Sequence, residues 1–326
     1  MVDIVRRLGS ARIVVIGDLI ADEYVYGRVA RVSREAPVLI LEYDSTEIVP
    51  GGAGNAANNA AALGGAVRLV TLVGRDEPGR RAERALTRRV ERRGLVRPAG
   101  FRTPVKTRIL AGGIHSAKQQ VVRIDRRSSR PVTEQERAVV ARAAHAALKD
   151  ADAVLISDYG SGLVTPALAR ELWQRVQQRK VPVLVDSRYA LTRYRGLTAC
   201  APNESEVEQA LGVRIDDNLR VLERAGRHIL ARTRMQAVIV TRGSRGMAVF
   251  EPGKKTVHIP IFGSDQIADV TGAGDTVMAT LTLALAAGTS VEQAARLANV
   301  AGGLVVMKRG TATVSAAELR RALGSV

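Results

Sequence analysis

Five short stretches of the chain are almost continuously apolar and rich in β-branched residues: RIVVIG (12–17), VRLVTLVG (67–74), AVLIS (153–157), VPVLVD (181–186) and AVIVTRG (237–243). Runs of this kind predict strands buried on both faces, because a strand with one wet face alternates instead. Between several of them apolar positions recur at helical spacing, which predicts helices over 55–63, 79–93, 133–148, 166–179 and 219–231. Strands alternating with helices imply right-handed crossovers and a mainly parallel sheet covered by helices.

Two regions break the rhythm. Residues 20–46, with the alternating VLILEY, and residues 104–125 predict antiparallel hairpin strands, so a small β-sheet lid is expected on the α/β body. The turn GGIHSAK (112–118) belongs to the second of these. No repeat, low-complexity tract or linker divides the chain, and a single domain over 1–326 is expected: three layers, α/β/α, with the lid inserted.

Ligands of open parallel sheets bind beyond the carboxyl ends of the strands. The residues just after the predicted strands are therefore informative: Gly17-Asp18, Asp158-Tyr159-Gly160, Asp186-Ser187-Arg188, Thr241-Arg242-Gly243 and, after the short run LTACAP (197–202), Asn203-Glu204-Ser205-Glu206. A series of acidic strand ends beside Gly-rich turns predicts a site for hydroxyls, phosphates and a divalent cation. Gly52, Gly54 and Ala57 match the dinucleotide pattern G-x-G-x-x-A, with Asp76 about twenty residues on. That fingerprint needs an apolar strand running into its first glycine, whereas here the polar DSTEIVP precedes it. No G-x-x-x-x-G-K-[ST] phosphate loop occurs either.

Composition narrows the picture further. The formal charge of +17 invites a nucleic-acid reading, but only 3% of residues are aromatic and the basic residues are dispersed. Their densest stretch, 79–94, alternates with Glu and apolar positions and is expected to be a solvated helix face; the alternative use of the charge is a field that concentrates anionic substrates. No nucleic-acid or membrane partner is expected. The N-terminus lacks signal-peptide order, so the cytoplasm is the expected location. The four histidines show no metal-ligand spacing, and the single Cys200 is expected to serve packing.

The most informative stretch is DVTGAGDTVMA (269–279). A turn of Gly272, Ala273 and Gly274 opens a predicted helix running to about residue 287, and free N–H groups at a helix start form an anion site. Asp275 falls in the first turn, where the helix dipole favours the ionised form. A carboxylate beside an anion hole suits a base that deprotonates an attacking hydroxyl while the N–H groups hold a transferring phosphoryl group. A plain Asp at a Gly-rich helix start is the alternative.

Together with GGAGNAANNAAALG (51–64), the motif DVTGAGD resembles the ribokinase-type (PfkB) carbohydrate kinases, over essentially the whole chain. Within them the sequence is most similar to the heptose 7-phosphate kinases of ADP-heptose synthesis, through GDLIADEYVYG (17–27), RVSREAPVLI (31–40), QQVVRID (119–125), SDYGSG (157–162), RYRG (193–196) and GTATVS (310–315). The resemblance implies a ribokinase-like fold and phosphorylation of the anomeric hydroxyl of D-glycero-β-D-manno-heptose 7-phosphate by ATP with Mg²⁺. It corresponds to the kinase part, without a nucleotidylyltransferase domain. Another sugar, sugar phosphate or nucleoside as acceptor, or a silent sugar-responsive regulator, remain the alternatives.

By this resemblance Asp275 is the catalytic base and Gly272, Ala273 and Gly274 form the anion hole. Asp18 contacts sugar hydroxyls, Gly51, Gly52 and Asn55 back the sugar, and Asp158, Lys106 and Arg123 join the substrate site. Asn203 and Glu206 match an N-x-x-E motif near metal-bound phosphates, with Glu206 toward the metal. Thr241, Gly243, Gly246 and Asn299 would line the nucleotide site. Asp269 and Thr271, with the loop 309–313, would hold a monovalent cation, K⁺. One departure is DSRY (186–189), where the heptose kinases carry Asp-Pro-Lys, so Arg188 replaces a lysine. Another is the longer hairpin at 112–118. Candidates for a distal phosphate are Arg31, Arg34, Lys106, Arg108, Lys118, Arg123 and Arg188. A homodimer through the exposed edge of the lid is the expected assembly.

Overall fold

The computed structural model describes residues 1–112, 118–128, 130–263 and 269–324. The expectation of a long hairpin tip falls on 113–117, outside the described residues. In chain order the elements are α1 (Val2–Leu8), β1 (Arg12–Gly17), β2 (Leu19–Val32), β3 (Leu39–Gly52), α2 (Ala53–Ala62), β4 (Ala66–Leu72), α3 (Glu77–Arg84), β5 (Val90–Val96), β6 (Val105–Gly112), β7 (Gln119–Arg126), α4 (Glu134–Ala147), β8 (Ala153–Asp158), α5 (Pro166–Val176), β9 (Val183–Ser187), β10 (Ala199–Cys200), α6 (Glu204–Leu211), α7 (Leu219–Thr233), β11 (Ala237–Thr241), β12 (Met247–Phe250), β13 (Val257–Ile259), α8 (Ala273–Ala286), α9 (Val291–Val305) and α10 (Ala316–Gly324).

Nine strands form the central sheet, in the order β13-β12-β11-β10-β9-β8-β1-β4-β5. All neighbours are parallel except the pairs made by β12, which add an antiparallel edge. Alternate residues of β1 face opposite layers. Ile13 and Val15 pack in a core with residues of α1, α2, α8, α9 and α10, while Val14 and Ile16 pack with Val140 of α4, Leu172 of α5 and Ile229 of α7. Both faces are thus covered, which is why these strands read as unbroken apolar runs. The helix α8 is buried over most of its circumference, and Thr280 and Thr282 satisfy their hydroxyls on the carbonyls of Thr276 and Met278 at 2.7 Å.

The lid is a second sheet, ordered β3-β2-β6-β7. Its hairpins β2/β3 and β6/β7 are antiparallel as expected, and β2 and β6 join them side by side in parallel. Strand β3 runs on to Gly52 and delivers the chain directly into α2. The G-x-G-x-x-A stretch therefore follows an antiparallel lid strand, not a strand of the parallel sheet. Asp76 caps α3, accepting from the N–H of Gly79 (3.2 Å) and Thr103 (2.9 Å).

One element differs from expectation. The helix expected over 79–93 ends at Arg84, and Val90–Val96 forms the edge strand β5. Val90 and Leu95 face inward against β4, and a side chain at Gly94 would lie 2.4 Å from the Leu69 carbonyl oxygen. Charged residues between those inward positions mimic a helical period, but tertiary pairing decides the state. Cys200 is buried, as a packing residue would be. No described helix is long and apolar enough to cross a membrane.

Candidate active site

In the central sheet β1 continues to β4 on one side, whereas β8 lies on the other, so the crossovers reverse direction between β1 and β8. The carboxyl ends of the strands there open a crevice, the usual ligand site of such sheets. A cleft of about 1430 Å³ lies at that point, between the sheet ends, the start of α8 and the lid. Its volume exceeds the roughly 300–1,000 Å³ of a single-ligand pocket, leaving room for two ligands side by side.

The helix α8 begins at Gly272, which adopts φ 77°, and a side chain there would come within 2.5 Å of Asn55 Nδ2. Glycine is thus required both by conformation and by space. The N–H of Ala273 donates to the Val270 carbonyl at 3.2 Å. By contrast, no described residue accepts from the N–H of Gly274 or Asp275, and a side chain at Gly274 would meet nothing within 4 Å. Of the three main-chain N–H groups at 273–275, two have no acceptor among the described residues and one is engaged.

Asp275 is only 5% exposed. Its Oδ2 accepts from Asn55 Nδ2 at 2.8 Å and its Oδ1 from the Tyr159 hydroxyl at 3.2 Å. Asn55 is itself held by Asn59, whose Nδ2 donates to Asn55 Oδ1 at 2.9 Å, and Asn59 Oδ1 accepts from the Thr276 hydroxyl at 2.8 Å. Asp275 is therefore oriented by a closed path running from α8 through α2 and back. Burial pushes the Asp275 carboxyl up to about 6, against the opposing hydrogen bond from Asn55 and the charge of Arg188. Desolvation outweighs the helix-start effect expected from the sequence.

Asp18 faces the same cleft. Its Oδ2 accepts from the N–H of Tyr159 (2.8 Å) and Ser161 (3.3 Å), the Ser161 hydroxyl donates to Oδ1, and burial raises the carboxyl to about 6. Where the nucleotide is expected, Asn203 Oδ1 accepts from the Glu206 N–H (2.8 Å) while Glu206 Oε2 accepts from the Asn203 N–H (2.9 Å), a capping box that starts α6. The other oxygen of Glu206 accepts from Arg188 Nη1 at 3.0 Å. Glu204 pins the turn 241–246 by accepting from Arg242 Nε at 2.8 Å. Asn299 donates to the Pro260 carbonyl at 2.8 Å. Asp269 accepts from the N–H of Thr271 (2.8 Å) and Gly310 (2.9 Å), bringing the two segments expected around a monovalent cation together.

Of the residues expected from the sequence, Asp18, Gly52, Lys106, Arg123, Asn203, Glu206, Thr241, Gly243, Gly246, Asp269, Thr271, Gly272 to Asp275 and Asn299 line the cleft, as do Arg108 and Arg188. Gly51, Asn55 and Asp158 stand behind its wall. Gly51 makes room for Asp22, whose carboxylate would lie 2.2 Å from an added side chain. Asp158 accepts from the hydroxyls of Tyr194 (2.7 Å) and Ser187 (2.8 Å) and the N–H of Gly160 (2.9 Å), all within the protein. Among the basic candidates, Arg31 and Arg34 lie exposed and Lys118 pairs with Asp44, away from the cleft lining.

Three arrangements were not read from the sequence, although it offered Arg108 as a phosphate partner and Tyr159 and Asp186 as strand-end residues. Asp22 and Arg108 form a buried ion pair at 2.6 Å at the lid base, with Arg108 over the Tyr24 ring. Asp186 lines the cleft, and its carboxyl is pushed up to about 7 by burial and then by the charges of Asp275 and Glu206. Two cations lie over the Tyr159 ring, Lys106 at 4.7 Å and Arg188 at 5.1 Å from its centre. Period-two spacing could have found the first, since Ile20 and Asp22 on β2, and Lys106 and Arg108 on β6, point together into the cleft.

The pfkB family carbohydrate kinase model matches residues 10–318. The chain is 39% identical over 316 residues to the bifunctional protein HldE of Trichlorobacter lovleyi, covering 96% of this chain and 63% of that protein. It spans less than two thirds of the length of the curated relatives it matches. Among solved structures, Arabidopsis thaliana ribokinase complexed with ribose and ATP superposes with a TM-score of 0.73 at 20% identity, over 96% of this chain and 98% of that one. Phosphofructokinase-2 from Escherichia coli in complex with potassium gives 0.76 at 18% identity, over 97% and 98%. These structural likenesses establish the ribokinase-like fold.

Proposed function

The chain belongs to the pfkB family of carbohydrate kinases, and from that premise we propose that it transfers the γ-phosphoryl group of ATP to the anomeric hydroxyl of a heptose 7-phosphate, giving the 1,7-bisphosphate. The observation that carries the reading is the buried Asp275 carboxylate beside the unengaged N–H groups of Gly274 and Asp275. Similarity to HldE proteins and the motifs shared with the heptose kinases support the choice of sugar.

The acceptor binds between lid and sheet, with Asp18 facing its hydroxyls. Asp275 takes the hydroxyl proton as the oxygen attacks, and the two N–H groups receive the charge of the transferring phosphoryl group. Lys106, Arg123 and Arg188 line the cleft and are the available partners for the distal phosphate. Water is excluded as the lid strands close over the acceptor.

The donor set fits a phosphate-borne Mg²⁺. No cluster of three acidic, histidine or cysteine side chains at metal-ligating spacing occurs among the described residues, so the ion would arrive on the phosphates with its waters. Asp186 and Glu206 would face it from the cleft lining. Bound there, Mg²⁺ would neutralise the charge of the phosphates. K⁺ would sit beside Asp269, Thr271 and the loop 309–313. A homodimer is proposed through the lid, where Val121, Val122 and Ile124 of β7 are each more than 40% exposed.

The test offers the purified chain MgATP with heptose 7-phosphate, fructose 6-phosphate, fructose 1-phosphate, ribose and adenosine. ADP release and phosphorus NMR of the product are monitored. A new anomeric phosphate on the heptose alone is the expected result; turnover of another acceptor instead would discard the heptose assignment and keep the chemistry.

A further inference from the structure

Tyr159 comes directly after β8 and touches both carboxylates of the acceptor site. Its backbone N–H donates to Asp18 Oδ2 at 2.8 Å, and its hydroxyl donates to Asp275 Oδ1 at 3.2 Å. The ring is fixed from several sides. Lys106 of β6 and Arg188 after β9 lie over it at 4.7 and 5.1 Å, and a side chain at Gly52 would meet its edge at 3.3 Å. We propose that Tyr159 is a positioning residue for the base: its hydroxyl holds Asp275 Oδ1 in place to receive the proton of the acceptor hydroxyl. The proposal rests on the kinase reading of the site.

Geometry divides the labour between the two donors on Asp275. Asn55 at 2.8 Å makes the firm contact to Oδ2 and sets the plane of the carboxylate. The Tyr159 contact, at 3.2 Å, is long for an O–H donor, so Oδ1 retains capacity to receive a second hydroxyl. Burial and the nearby charges of Asp275 and Asp186 push the phenol well above its ordinary value. Tyr159 therefore stays protonated and acts as a donor throughout; the proton of the acceptor passes to Asp275 and not to the phenolate.

The other charged groups around the base are Asp18 after β1, Asp22 of β2, Lys106 of β6, Asp186 and Arg188 at the end of β9, Glu206 of α6 and Asp269 before α8. Of these, Arg188 is also hydrogen-bonded to the Tyr159 side chain and loses that contact when the phenol oxygen is removed, while the others keep their places. Tyr159→Phe keeps the ring under Lys106 and Arg188 and deletes the hydroxyl, with its bond to Asp275 and its contact with Arg188, so the acid limb of the kcat/KM profile should move upward by about one pH unit, the scale of a hydrogen bond to a charged group. The rate at pH 6 should fall by about tenfold and converge to within about twofold of wild type by pH 8.5, with KM for heptose 7-phosphate changed by less than about twofold. Tyr159→Leu, which also removes the ring under Lys106 and Arg188, should in addition raise that KM.

A second measurement separates this proposal from the kinase reading. The Asp275 carboxyl carbon is titrated by ¹³C NMR in wild type and Tyr159→Phe, with its signal assigned by its loss in Asp275→Asn. An upward move of about one pH unit is expected whether or not an acceptor has been found. An unmoved carboxyl titration, or an unmoved acid limb with the rate either unchanged or lowered equally at every pH, overturns the proposal. Failure of wild type to phosphorylate any acceptor, with the carboxyl shift intact, would instead count against the kinase reading alone.

Discussion

Asp275→Asn separates chemistry from stability in this protein, and the two effects should run in opposite directions. The carboxyl titrates at about 6 in the fold against an ordinary value of 3.8. That gap of about two pH units corresponds to roughly 3 kcal/mol at about 1.36 kcal/mol per unit. Because the folded value is the higher one, the favourable contribution of this group is complete below about pH 4 and is lost as pH rises through about 6. At pH 8 the ionised side chain therefore destabilises the fold relative to a neutral isostere. Asparagine can present its oxygen to Asn55 and its amide to the Tyr159 oxygen, although the second contact must turn the hydroxyl around. Allowing for that rearrangement, a net gain of about 1–2 kcal/mol and a rise of about 2–4 °C in melting temperature at pH 8 are expected. Turnover should fall by about 10²- to 10⁴-fold, which is about 2.7–5.5 kcal/mol of barrier. ATP affinity should hold, since the N–H groups at the start of α8 are main-chain. Coupled ADP-release assays, scanning calorimetry at pH 5 and 8, and calorimetric titration with ATP measure the three quantities. Turnover within tenfold of wild type would remove Asp275 from the mechanism, and a lower melting temperature at pH 8 would refute the burial argument.

The same geometry sets three further outcomes. Since the base must be ionised, kcat/KM should fall about tenfold per pH unit below about pH 6, read from a pH profile in buffers of constant ionic strength. Gly274→Ala places a methyl group in open cleft space and should leave the melting temperature unchanged while lowering kcat about 10- to 100-fold by displacing the phosphoryl group; wild-type kinetics would mean the phosphate binds elsewhere. Arg108→Leu strands the Asp22 carboxylate at the lid base and should cost about 3 kcal/mol or more, seen as a lower urea midpoint, whereas Asp22→Asn with Arg108→Leu should recover part of that loss.

What the sequence determined by itself was the order and kind of the main elements and the motif that places the base. β1, β8, β9 and β11 lie within two residues of their apolar runs because burial on both faces leaves a signal that needs no partner to be read. The anion-hole turn was legible for a similar reason, as Gly272 and Gly274 carry their requirement in their lack of a side chain. The edge strand β5 was not legible, because its charged residues fit a helical period as well as a strand and only pairing with β4 chooses between them. The same holds for the working state of the site. The elevated Asp275 and Asp186 carboxyls, the engagement of the Ala273 N–H by Val270, and the clasp of Tyr159 on Asp18 and Asp275 depend on atoms far apart in the chain. Desolvation and hydrogen-bond direction are properties of a three-dimensional surround, so they were decided only when β1, β8, β9, α2 and α8 came together.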